Sequence, residues 1–76
     1  MKLSKQEELI ALAAALYLIG VEVEASRERL KELVEKGYDY ASREVKNEYT
    51  EFTRLSEKFG RVEERYLYLQ KGSQHR

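Results

Sequence analysis

An all-α fold, an antiparallel hairpin of two long helices, is what this chain predicts, and three observations predict it. Apolar residues recur at alternating steps of three and four along two long stretches, which is the spacing of one helix face. Ala, Glu, Lys, Leu and Arg supply more than half of the 76 residues, a composition typical of long helices and coiled coils. There is no proline, and there are only four glycines, so little in the chain interrupts a helix. At this length the chain is one domain, residues 1–76.

Helix 1 is expected over about residues 5–36. Ser4 precedes Glu7 by the three residues of a capping box, just before the apolar run begins. The stripe is Leu9, Leu12, Leu16, Ile19, Val23, Leu30 and Leu33, with Ser26 as its one polar interruption. Lys36 and Gly37 are helix-end signals, and Gly37 is expected to take a positive φ there. The segment LYLIGVEVE also alternates as a strand would. No second strand-like run exists to pair with it, and a lone strand leaves its backbone unsatisfied.

The turn is expected at residues 37–39, with Asp39 as N-cap of a helix over about 40–71. The second stripe is Val45, Phe52, Leu55, Phe59, Val62, Tyr66 and Leu69; Glu48 breaks it, with Tyr49 beside it. Gly60 keeps the stripe in phase, so one continuous helix with a weak point is expected. Residues 72–76 read as a frayed tail, and His75, the sole histidine, lies in it. Folding the hairpin about Asp39 sets Leu9 against Leu69, Ile19 against Phe59 and Ser26 against Phe52. It also matches Glu22 with Lys58, Arg29 with Glu51 and Lys36 with Glu44, all opposite in sign.

Residues 9–21, LIALAAALYLIGV, carry no charge in a chain that is 37% charged. One stripe of this run faces helix 2. The other side holds Ile10, Ala14, Tyr17 and Val21, with Leu18 adjoining, and Leu67 and Tyr68 stand at the same end of the hairpin. A domain this small without a disulfide or metal usually needs a partner. The expected cover is a second copy, giving a homodimeric four-helix bundle with the two helix 1 segments at its centre. A different protein docking on the same face is the other expectation. Ala11, Ala13, Ala14, Ala15 and Gly20 permit close helix approach; plain helix propensity explains the alanines equally well.

Fourteen acidic and fourteen basic residues give a net charge of zero, which argues against non-specific attraction to nucleic acid or anionic lipid. The absence of cysteine fits a reducing compartment, and the chain is expected to be cytoplasmic. The uncharged run is shorter than the roughly 18–20 residues of a membrane span. Two glutamates precede it, unlike a signal peptide. Residues 6–26 hold no lysine or arginine, unlike an interfacial helix, so no membrane association is expected.

No phosphate loop, metalloprotease motif or nucleophile elbow is present, and no Glu-x-x-His pair suits a metal bundle. No enzyme activity, cofactor or metal is expected. Glu24, Glu28, Glu32 and Glu35 form an acidic side of helix 1, read as a solvated face. Arg54, Lys58, Arg61 and Arg65 form a basic stripe on helix 2, capable of phosphate contacts, with Glu57 and Glu64 standing beside it. The functional expectation is a small non-enzymatic assembly or adaptor protein acting through protein contacts. The alternative is a nucleic-acid-binding accessory protein using the basic stripe.

Overall fold

The computed structural model describes residues 3–74. Two helices pack against each other, α1 over Lys5–Glu35 and α2 over Arg43–Gln74, and no strand occurs among the described residues. The molecule measures 54 × 21 × 18 Å.

The start of α1 follows the sequence signal. Glu7 N–H donates to Ser4 Oγ at 3.1 Å, and Ser4 N–H donates to Glu7 Oε1 at 2.9 Å. Two of the helix's orphan donors are thereby satisfied. Glu7 and Glu8 in the first turn also suit the positive end of the helix dipole. At the other end Gly37 has φ +96°, as expected. Tyr38 N–H donates to Leu33 O at 3.1 Å and Gly37 N–H to Val34 O at 3.0 Å, the paired bonds of a Schellman motif.

The start of α2 departs from expectation. The cap is Ser42, not Asp39: Val45 N–H donates to Ser42 Oγ at 3.3 Å and Lys46 N–H to Ser42 O at 3.0 Å. Asp39 instead nucleates a turn, accepting from Ala41 N–H at 3.4 Å and Ser42 N–H at 2.9 Å. Aspartate and serine are both good caps, and local sequence alone does not rank them. The connection is therefore longer than residues 37–39, and α2 begins at Arg43 rather than near 40. Its far end is also longer. Helix continues through Gln74, so residues 72–74 are not a frayed tail; His75 and Arg76 lie outside the described residues. Gly60 causes no break.

Both predicted stripes form the interface. Every stripe residue from Leu9 to Leu33 and from Val45 to Leu69 is buried or half-buried, and Ile19, Val45, Leu55 and Leu69 are the most enclosed. Gly20 faces Phe59: a Cβ there would sit 3.4 Å from Phe59 Cε2, an ordinary contact distance, so this glycine lies beside the hairpin's own interface.

The expected charge pairs do not form. Arg29 bridges Glu48 at 3.1 Å rather than Glu51, and Glu51 takes Arg54 at 2.6 Å. Neither Glu22–Lys58 nor Lys36–Glu44 is an ion pair among the described residues. Glu22 acts on Arg54, about one turn away from Lys58. Exposed pairs contribute well under about 1 kcal/mol each and cannot set a register against core packing. The enclosed polar contact across the interface is a different one: Ser26, fully enclosed, donates its hydroxyl to Glu48 Oε2 at 2.6 Å.

Candidate interaction surface

The residue pattern of α1 has two poles. At 100° per residue, the core stripe and the set Ile10, Ala14, Tyr17 and Val21 lie about 170° apart on the helix. α2 covers the first pole only. Ile10 is 65% exposed, Tyr17 72%, Leu18 62% and Val21 52%, and Ala11, Ala13 and Ala14 are exposed too. Leu3, just before the Ser4 cap, is 53% exposed as well. Several large apolar side chains exposed along one face of one helix exceed the scattered single residues that are normal on a monomer's surface.

Leu67 and Tyr68 are exposed on α2 at the same end of the molecule. As neighbours in sequence they lie on opposite flanks of the buried Tyr66–Leu69 stripe, so one flat partner face reaches only one of them. Arg65 stands over the Tyr68 ring, 5.9 Å from its centroid, which gives that ring a cation–π contact within the chain.

The basic stripe is partly consumed. Arg65 bonds Glu8 across the interface at 3.1 Å, and Arg54 is held by Glu51 at 2.6 Å. Arg54 is raised above its ordinary value, first by that hydrogen bond and then by the charge of Glu51. Of the four stripe residues, Lys58 and Arg61 alone have no ion pair among the described residues. On α1, Arg27 holds Glu24 at 3.2 Å, within the predicted acidic side.

The sequence reading missed the polar cluster at mid-hairpin. Arg29 and Ser26 converge on Glu48, whose side chain is only 17% exposed. The Arg29 hydrogen bond, then that of Ser26, holds the Glu48 carboxyl below the ordinary carboxylate value. No buried side-chain polar atom lacks a partner among the described residues. A signal for this pair did exist. Ser26 and Glu48 are the single interruptions of their two stripes, and each interruption supplies what the other needs.

A second unpredicted feature is an open hollow of about 510 Å³ at the turn end, lined chiefly by Leu30, Val34, Tyr40, Val45 and Tyr49. Its two tyrosines are among the most exposed aromatic residues, at 73% and 61%. Among the described residues no three His, Cys, Asp or Glu side chains are grouped to hold a metal ion.

α1 is long and apolar enough to cross a membrane by length and composition, with a mean hydropathy of 1.8 over an 18-residue window, 11% of which is buried. The uncharged run alone is shorter than a span; the apolar stretch reaches 18 residues only by including two glutamates. No protein-family model matches the chain, and comparison with the curated proteins and the solved structures finds no significant match.

Proposed function

We propose that this is a small non-enzymatic assembly or adaptor protein that works through protein contacts of its helical hairpin, and that the first partner is a second copy of itself. One observation carries the reading: the pole of α1 opposite its own core exposes Ile10, Tyr17, Leu18 and Val21. Pairing two such faces makes a four-helix bundle with the two α1 helices at its centre. Burying a large apolar side chain contributes roughly 1.5–3 kcal/mol, so both faces together offset much of the entropy lost on association.

A soluble, cytoplasmic setting fits this reading. α2 packs along α1 and carries Arg54, Lys58, Arg61 and Arg65 beside several glutamates. While the hairpin is closed, α1 cannot cross a bilayer without drawing those charges into hydrocarbon, at a cost of several kcal/mol. The nucleic-acid reading is weaker because Arg54 and Arg65 already serve internal pairs.

Light scattering of three proteins tests the proposal. Wild type is expected at twice the chain mass. Tyr17→Glu places an unpaired carboxylate in the interface and is expected to be monomeric and poorly folded. Arg43→Glu, exposed in the first turn of α2 where acidic residues are favoured, is expected to remain dimeric. A well-folded monomeric wild type overturns the reading.

A further inference from the structure

The outer pole of α1 changes character along its length. From Ile10 through Val21 it is chiefly apolar, and beyond Val21 the same phase holds Glu24, Glu28, Glu32 and Glu35, all exposed. The two copies can lie side by side in only two ways about a two-fold axis. With α1 parallel to its partner, each residue meets its own copy. Glu24, Glu28, Glu32 and Glu35 would then stand against four identical glutamates, and Tyr17 against Tyr17. With α1 antiparallel and the apolar segments superposed, Glu32 and Glu35 project past the partner's end, Glu28 lies at its edge, and only Glu24 of the four stays within the overlap.

We infer that the two copies pack α1 antiparallel, with Ile10 against the partner's Val21 and Ala14 against the partner's Tyr17. This rests on the dimer proposed above. Two observations carry it beyond that proposal. Charge is the first: the antiparallel arrangement sets Glu7 near the partner's Glu24, twice by symmetry, against four self-facing glutamates in the parallel one, and Arg27 already bridges Glu24 at 3.2 Å. Shape is the second. Alanine opposite tyrosine matches a small residue to a large one in each of two symmetric layers, and the parallel arrangement stacks like on like. The resulting assembly is a rod of about 70 Å, against the 54 Å of one hairpin, with the two turn ends pointing away from each other. The hollows beside Tyr40 and Tyr49 then lie at the two far ends, clear of the joint.

Cysteine cross-linking tests the arrangement, since the chain has no cysteine of its own. Disulfides need Cα atoms within about 7 Å. Full-length Ile10→Cys and Val21→Cys chains, mixed and oxidised, are expected to form a covalent heterodimer. Val21→Cys alone is expected to form none, because residue 21 and its copy lie about 16 Å apart along the axis. Ready self-linking of Val21→Cys in a dimeric protein overturns the antiparallel arrangement and leaves the dimer standing. A wild type that scatters as a folded monomer overturns both, as does a monomer that partitions onto phosphatidylcholine vesicles. X-ray scattering in solution reads the same question without a variant: a maximum dimension near 70 Å supports the antiparallel rod, and one near 54 Å overturns it.

Discussion

Ser26 and Glu48 are where single side chains matter most. Serine is a middling helix former, and its hydroxyl, fully enclosed in the interface, must find an acceptor. Glu48 supplies one and gains two donors in return, Ser26 Oγ and the Arg29 guanidinium. Hydrogen bonds to a charged group are worth about 1.5–3 kcal/mol, and alanine recovers a few tenths through helix propensity. Ser26→Ala is therefore expected to destabilise the fold by about 1 kcal/mol, measured by urea denaturation near neutral pH. The pH dependence has a definite sign. The folded protein holds the Glu48 carboxyl below its ordinary value, so the unfolded chain binds this proton first as pH falls. The stabilisation is complete above the ordinary carboxylate value of 4.5 and is lost as pH drops from there through the lowered value. Glu48→Gln is expected to be less stable at neutral pH and to lose less stability on acidification than wild type. Equal acid sensitivity of the two would mean that Glu48 has no part in the transition. Glu51, lowered by its hydrogen bond from Arg54, adds to the acid loss in both proteins.

The helices themselves show how far local sequence reaches. Each stripe was legible because burial follows side-chain spacing, and spacing is written directly in the chain. The capping box at Ser4 and the positive φ of Gly37 were legible for a similar reason: each depends on a few neighbouring residues. Ser42 as the cap of α2 was not, because Asp39 offers the same chemistry three residues earlier. The charge register was not legible either. Opposite-sign partners abound in a chain with fourteen charges of each kind, so many registers satisfy some of them. Two glycine substitutions separate turn from helix. At Gly37 nothing stands within 4 Å of an added Cβ, so the cost of Gly37→Ala is backbone strain at φ +96°, about 1 kcal/mol or more. At Gly60 nothing stands within 4 Å either, and the backbone is helical, so Gly60→Ala is expected to stabilise by about 0.5–1 kcal/mol. Thermal denaturation checks both. A stabilised Gly37→Ala would mean that the chain runs straight from α1 into α2, and a destabilised Gly60→Ala would mean that α2 bends there.

The whole hairpin has more surface than a chain of its size keeps when it stands alone. A compact 76-residue protein has a radius of gyration of about 11 Å; this one has 16.7 Å. A monomer of 9.0 kDa exposes about 4,900 Å²; this one exposes 6166 Å². The excess comes from a two-helix layer with a single shared interface, in which only four apolar side chains among the described residues are buried. So thin a core leaves little stability after the entropy of ordering each residue is subtracted. Dimerisation as proposed makes up the difference and ties folding to concentration. If unfolding and dissociation occur together, mass action shifts the equilibrium toward the folded dimer as protein concentration rises. The thermal midpoint is then expected to climb by several degrees over a hundredfold increase in concentration, a shift of a few kcal/mol per dimer in a domain of this size. Tyr17→Glu should abolish the dependence along with most of the helical signal, and Arg43→Glu should preserve it. Circular dichroism melts at three concentrations decide the matter. A midpoint that stays fixed while the helical signal is fully retained would place all of the stability within one hairpin, and the exposed pole of α1 would contribute nothing to folding.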